Sequence, residues 1–536
     1  MSTTGLQSLD YIVFFIYLIG VSAYGYWIYR KKSSKEVSST DYFLAEGSLT
    51  FWAIGASIIA SNISAEHFIG MSGSGFAIGL AISSYEWMAA ASLIVVALFI
   101  LPVYLKNKIY TMPQFLRERY NPTVATIMAV FWLLLYVFVN LTSILYLGAL
   151  ALEVTAGIDF QYAIVGLGLF AVVITIGGMK VIGYTDVVQV VVLVLGGLAT
   201  TYLALDLVSQ HFNRPGIFNA LGLLKEQADS HFHMILPKDN PFYKDLPGLT
   251  VILGAMWINN LAYFGCNQYI IQRSLGASLP TARKGILFAA LLKLLIPIIV
   301  VIPGIAAFVL YQNGMFQQEM LAGNVVKPDH AYPVLLNLLP AGLKGMAFAA
   351  LTAAIVASLA GKANSISTIF TLDIYKQYIA PQASERQLVR VGRITIYVAM
   401  AIGVLIAPQL RVLDQAYQFI QEYSSFITPG VFAIFILGMF WKRTTSAAAL
   451  AAALLTIPLS TAGKFMYPEI PFLDRMGYIF LILCAVIAAI SLADPKSKNN
   501  PKGLNIEASM FQPGRSFAIG SVLICGVLAA LYTIFW

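Results

Sequence analysis

Charge is what this chain is shortest of. Aspartate, glutamate, lysine and arginine together make up 11% of its 536 residues, under half of the roughly 25% usual in a soluble domain. A solvated globular surface is excluded. Cysteine is scarce as well. Cys266, Cys484 and Cys525 all fall inside apolar runs, which predicts free, packed thiols and no disulfide framework. The signatures of catalysis are missing: there is no HExxH, no GxSxG, no P-loop and no paired Cys or His metal spacing, so no enzyme and no cofactor is expected. An ATP-driven pump would need a nucleotide domain, and the loops are too short for one. Met1–Asp10 lacks the basic region of a cleavable signal, so the first apolar run, near Tyr11–Tyr29, is expected to stay and span.

What is present is apolar. Hydrophobic residues make up 59% of the chain and aromatic residues 13%, the latter suited to belts at two membrane interfaces. Runs of spanning length lie near 10–29, 50–76, 80–105, 124–155, 160–179, 184–207, 249–271, 285–312, 345–372, 394–408, 415–441, 445–463, 475–493 and 516–535. The expectation is an all-α polytopic membrane protein of about fourteen transmembrane helices, forming a single transporter domain over 1–536. Of the 33 lysines and arginines, most sit in the odd-numbered loops, for example Arg30, Lys35, Lys106, Arg117, Arg119, Arg273, Arg283, Lys376, Arg390, Lys442 and Lys496. That bias makes those loops cytoplasmic and puts both termini outside, in the cell's inner (plasma) membrane. The net charge of +8 is therefore topological. Lipid is the implied partner and nucleic acid is not.

Two runs are interrupted. In Ala60–Gly79, ASNISAEHFIGMSGSGFAIG, the residues Ser61, Asn62, Ser64, Glu66 and His67 are too polar for a lipid-facing helix. In the seventh run, WINNLAYFGCNQYIIQR carries Asn259, Asn260, Tyr263, Gly265, Cys266, Asn267 and Gln268. Backbone at membrane depth leaves the helix only where protein or a wet cavity re-satisfies it, and such breaks mark binding sites in transporters. Helix packing through small residues is the alternative for either break alone. The paired placement, five segments apart, predicts two inverted five-helix units, 50–207 and 249–441, with 1–49 and 442–536 peripheral.

Ionisable groups inside spans mark function by default. Glu86 opens the third segment beside the first break; the alternative is an interfacial carboxylate at a helix N-terminus. His67 follows Glu66, and a structural histidine is its alternative. Lys293 stands in the apolar run Ile286–Val300, where snorkelling competes with pairing to an acid or a hydroxylated ligand. Asp186 begins the sixth segment, and Gln421 with Gln418 and Glu422 adds amide capacity to the eleventh. Amides, a His, a Glu, a Lys and the aromatics Tyr85, Tyr136, Tyr263 and Phe264 form a set that suits a sugar. Its hydroxyls need donors and acceptors, and its C–H face suits a ring. No Arg falls within a predicted span core, which favours a neutral polyol over an anion. A channel or a sensor is the other class, though no repeated filter is seen.

These stretches identify a family. TDYFLAEGSLTFWAIGASIIASNISAEHFIGMSGSG, SYEWM, FVNLTSILYLGALALE, YTDVVQV, NQYIIQRSL, NSISTIFTLDIYK, FIQEY and the closing LYTIFW resemble the sodium/solute symporter family, in its sodium/glucose cotransporter branch, nearly end to end. The resemblance implies an inverted-repeat core of ten helices, as in the neurotransmitter:sodium symporters, and a site for galactose- or glucose-like sugar at Glu86, Asn260, Lys293, Gln421 and His67. It further implies Tyr263 as an inner gate under the sugar ring, held by Asn62 and by contacts with Tyr136 and Asn140. A sodium site is implied at the carbonyls of Ala60 and Ile63 with Ala354, Ala357 and Ser358, supported by Asp186. Bacterial relatives carry Gln where His67 stands and animal sugar cotransporters carry His; Phe264 replaces Trp, and Ala89 replaces a Ser.

One departure concerns the cation. Relatives have two adjacent hydroxyls where this chain has Ala357 and Ser358. Lys362 lies four residues on, rotated about 40° from Ser358, and its side chain leans toward the helix N-terminus. The expectation is an ammonium directed at the Ala60 and Ile63 carbonyls in place of sodium. Sodium-independent or proton-coupled transport, as well as sodium/sugar symport and non-transporting sugar sensing, stay open at this point.

Overall fold

The computed structural model describes residues 6–31, 49–175, 179–322, 325–337, 339–412 and 416–536. Lys32, Lys35 and the 40–48 portion of the family resemblance lie outside the described residues. Among the described residues strand is confined to one short antiparallel pair, Leu321–Ala322 with Val325–Val326; the rest is helix and connection.

Among the described residues ten helices are long and apolar enough to cross a membrane. The number is eleven if Tyr417–Ser424 and Thr428–Phe440, bent by 46°, form one span. The other three expected runs are not single helices of that length among the described residues: 50–76 and 249–271 are interrupted, and 160–179 carries the helix Phe160–Thr175. Burial separates a centre from a rim. Of the most apolar window in Leu343–Ile379, 89% is buried, against 17% in Ser8–Ile28 and 22% in Arg515–Ile534.

The centre is built from a few helices: α1 (Phe51–Asn62), α2 (Ser84–Val95), α3 (Thr142–Ala156), α4 (Met179–His211), α5 (Ala255–Gly265), α6 (Gln268–Leu275), α7 (Leu279–Gln312), α8 (Leu343–Thr368), α9 (Ala416–Ser424) and α10 (Thr428–Phe440). Helix α7, which runs through Pro297 and Pro303, packs along α1 and α2. Helix α8 packs along α4 and touches α1.

The first break follows from its sequence. Helix α1 ends at Asn62 and Ile63 turns extended (φ −77°, ψ 121°). The freed backbone is taken up by the polar side chains that follow: the Glu66 N–H donates to Ser64 Oγ (3.2 Å) and the Ser64 N–H to His67 Nδ1 (3.4 Å). The chain then resumes as a π-turn, Glu66–Met71, and a helix, Ser72–Ala77. At the second break, Asn267 Oδ1 caps α6 by accepting the Tyr269 N–H (3.1 Å), and the freed Gly265 carbonyl accepts from Tyr104 OH (2.8 Å). A Cβ on Gly265 would lie 2.6 Å from the terminal Cδ1 of Ile100, so any larger residue there must push that side chain aside.

Two expectations need correction. The cysteines are free, but packing holds only for Cys266; Cys484 is half-buried and Cys525 exposed, because the outer helices turn one face away from the protein. Arg119 and Arg273, assigned to aqueous loops, are both 1% exposed. Arg119 donates to the carbonyls of Gly438 (2.6 Å), Trp441 (3.1 Å), Lys442 (3.2 Å) and Thr444 (3.1 Å), so it satisfies the orphan acceptors where α10 ends.

Candidate functional site

The first break opens onto a cavity of about 110 Å³, where one water needs roughly 10–15 Å³. It therefore has room for several waters or one small solute. The break contributes Asn62, Glu66 and His67; α2 contributes Tyr85 and Glu86; α5 contributes Asn260, Tyr263 and Phe264; Lys293 comes from α7 and Gln421 from α9. Asn140, on a π-turn Leu135–Leu141, Asn259 from α5, Asn267 from the second break, and Lys362 from α8 complete the charged and amide lining. π-turns inside helices are frequent at functional sites because they redirect side chains.

One ion pair lies at its centre. Lys293 Nζ donates to Glu86 Oε2 at 2.7 Å and also to Asn62 Oδ1, so snorkelling is ruled out for a side chain with no exposure. On the other carboxylate oxygen, His67 Nε2 stands 3.3 Å from Glu86 Oε1. His67 Nδ1 accepts the Ser64 N–H, which leaves Nε2 as the nitrogen that faces Glu86. Asn62 is fixed at both ends: its oxygen takes Lys293 and its nitrogen donates to Tyr263 OH (3.2 Å). The ammonium of Lys293 also lies 5.4 Å from the Phe264 ring centroid, and Tyr263 and Phe264 meet edge-on at 5.0 Å.

Two donors are left over. Asn260 Nδ2 and Tyr85 OH are buried without a hydrogen-bond partner among the described residues, a costly state unless a ligand or water takes them. Gln421 Nε2 donates to Tyr417 OH (2.8 Å), which leaves the rest of that amide to the cavity.

The remaining sequence-predicted residues lie beside the cavity. Tyr136 OH donates to Asn267 Oδ1, so its bond secures the second break; the expected hold on Tyr263 comes from Asn62. Ala60, Ile63, Ala354, Ala357 and Ser358 are buried between α1 and α8. Ser358 Oγ donates to the Ser61 carbonyl (3.1 Å) and meets Tyr269 OH (3.2 Å). Asp186 Oδ2 accepts from Ser57 Oγ (2.6 Å), which in turn accepts from Arg273 Nε (2.9 Å). Lys362 departs from expectation. Its Nζ lies 3.9 Å from Glu66 Oε2 and 5.4 Å from the Tyr269 ring centroid, because the side chain is captured by a carboxylate instead of by the carbonyls of Ala60 and Ile63.

Three residues were missed. Glu66 was read only as part of a polar break; the structure gives it Ser143 Oγ (2.8 Å) and Ser64 Oγ (3.3 Å) as well as Lys362. Tyr417 stacks edge-on against His67 and Tyr85, and its position four residues before Gln421 was a legible signal, since that spacing shares a helix face. Arg273 was hidden by its place at the end of an apolar run.

The Sodium:solute symporter family model matches residues 42–456. The chain is similar to a sodium/glucose cotransporter of Vibrio parahaemolyticus, 49% identical over 99% of both chains, and to sodium/myo-inositol cotransporter 2 of Sus scrofa, 34% identical over 87% of this chain and 71% of that one. Among solved structures, a sodium-coupled sialic acid symporter in a substrate-bound outward-open state superposes with a TM-score of 0.78, covering 91% of this chain and 98% of that one at 23% identity. At that identity the likeness speaks for the fold.

Proposed function

This chain belongs to the sodium:solute symporter family, and on that premise we propose that it is a secondary transporter of a neutral monosaccharide, galactose- or glucose-like, working by alternating access. One observation carries the reading: the Glu86–Lys293 pair is already neutralised, while Asn260 Nδ2 and Tyr85 OH are buried in the same cavity with no partner among the described residues. Such a site rewards hydroxyls and penalises net charge, and the rings of Tyr263 and Phe264 offer a face for sugar C–H groups. His67, Glu86, Asn260, Lys293 and Gln421 bind hydroxyls in this reading, and Tyr263, latched by Asn62, is the gate beside the solute. The 50–207 and 249–441 segments act as inverted halves of one domain in the plasma membrane, both termini outside.

A cation is the expected second cargo in such a family, and it would need oxygen ligands. Ala357 offers no side-chain oxygen where relatives carry a hydroxyl, and the one hydroxyl left, Ser358, donates to the Ser61 carbonyl and meets Tyr269 OH. The set fits sodium poorly.

The test is uptake of labelled galactose and glucose into proteoliposomes. Hydrogen bonds to charged groups contribute about 1.5–3 kcal/mol and neutral ones about 0.5–1.5 kcal/mol, so Glu86→Ala should weaken apparent affinity at least about tenfold and Gln421→Ala about two- to tenfold. Unchanged kinetics in both variants reject the site, and sugar binding without flux makes the protein a sensor.

A further inference from the structure

Each carboxylate in the cavity has its own ammonium. Glu86 has Lys293 at 2.7 Å and Glu66 has Lys362 at 3.9 Å, so the lining carries two negative and two positive groups and is neutral before any ion enters. Lys362 is 3% exposed and Glu66 is 9% exposed, which keeps both out of bulk solvent. Glu66 follows the break directly, and Lys362 projects from the helix that faces it. The pair therefore ties the broken helix to α8, the bridge a bound cation would otherwise make.

The surroundings are built around this tie. Tyr269 lies between two features of α8: its hydroxyl meets Ser358 and its ring faces the Lys362 ammonium. Arg273 lies on the same ring at 5.2 Å. Gly361 makes room for both, since a Cβ there would stand 2.6 Å from Arg273 Nη2 and 2.8 Å from Tyr269. A free sodium ion at this break would meet a resident ammonium close by, and Glu66 would have to be shared between them. Like charges at short range in a site shielded from solvent disfavour joint occupancy.

We propose that Lys362, paired with Glu66, is a tethered cation that takes the place of a co-transported sodium ion, and that solute transport by this chain does not require sodium. The inference rests on the reading of the cavity as a neutral-solute site and names the ion partner of that same site.

The test separates the two claims by measuring sodium without sugar. Binding of radioactive sodium to the purified full chain, and its melting temperature in sodium against choline chloride, are expected to show no saturable, sodium-specific effect in wild type. Lys362→Arg should behave the same way, because the tethered charge is kept. Lys362→Met with Ala357→Ser should gain saturable sodium binding, and its sugar uptake should become at least about tenfold faster in sodium than in choline. Saturable sodium binding by wild type, left unchanged by Lys362→Met, overturns the proposal. If the methionine variant fails to fold, wild type and Lys362→Arg decide alone. Failure of any sugar to bind refutes the cavity reading, while the sodium measurements still decide the role of Lys362.

Discussion

The two buried ion pairs of the cavity are built differently. Glu86 and Lys293 touch at 2.7 Å, with His67 on the second carboxylate oxygen and Asn62 on the ammonium. Glu66 and Lys362 stand 3.9 Å apart; the carboxylate is held by hydroxyls of Ser64 and Ser143, and the ammonium rests over a tyrosine ring. The first pair is locked in a network of polar side chains that also presents free donors to the cavity. The second is looser and lies next to the helix break. A fixed charge pair serves recognition of a neutral solute; a loose one can part and re-form as helices move. Under the proposals above, solute binding belongs to the first pair and the cation function to the second.

The largest effect should come from breaking the tight pair on one side only. Lys293→Ala leaves the Glu86 carboxylate buried and unpaired, which costs about 3–5 kcal/mol, so thermal melts should fall sharply and solute binding should vanish. Removing both charges, with Glu86→Gln and Lys293→Met together, should restore most of the stability and none of the binding. If Lys293→Ala melts like wild type, the two pairs are not distinct in the way described.

Next in size is the loss of a donor that the protein leaves unpartnered. Asn260→Ala should raise the dissociation constant for sugar about tenfold while leaving the melting temperature unchanged or higher, since a buried donor without a partner is removed. Calorimetric titration beside a melt reads both. A fall in stability with unchanged affinity would mean the amide serves the fold.

Tyr263 sharpens the comparison from the gate side. Tyr263→Phe keeps the ring and loses only the bond to Asn62, so a modest change in efflux is expected; Tyr263→Ala should speed efflux from preloaded vesicles several-fold. Equal efflux from Tyr263→Ala and wild type would remove the gate from the proposal.

The smallest effect concerns an acid outside the spans. Asp245, in the connection before α5, has its carboxyl pushed up to about 6, chiefly by burial and then by the like charge of Glu422. In the folded protein it keeps its proton over a range where the unfolded chain has lost it. Stability should therefore fall as pH rises from about 4 to 6 and level off above. Asp245→Asn should flatten that slope and raise stability near pH 7.5 by about 1 kcal/mol, with little change at pH 4.5. An unaltered melting profile across this range would show that the carboxyl is not held in that way. Both cavity acids have ammonium partners; this one has a carboxylate neighbour.

Much of the site was legible because polar residues in an apolar span have few options. Asn62, His67, Glu86, Asn260, Lys293 and Gln421 were singled out by type and place, and the structure gathers them around one cavity. Which helix segments are continuous was less legible, since a broken helix and an intact one look alike in composition. Arg119 and Arg273 misled for another reason: a cation beside helix carbonyls or a buried hydroxyl is indistinguishable in sequence from one in water.

By itself the sequence determined the membrane class, the two breaks and the chemistry of the cavity wall, because hydropathy and the need to satisfy freed backbone act within a few residues of one another. Only the tertiary structure decided which acid faces which base. Glu86 and Lys293 are 207 positions apart, and the partner of Lys362 is Glu66 and not the carbonyls one helix turn away. Those pairings depend on how α1, α2, α7 and α8 cross and on where each side chain points at the crossing, and nothing local in the chain encodes that.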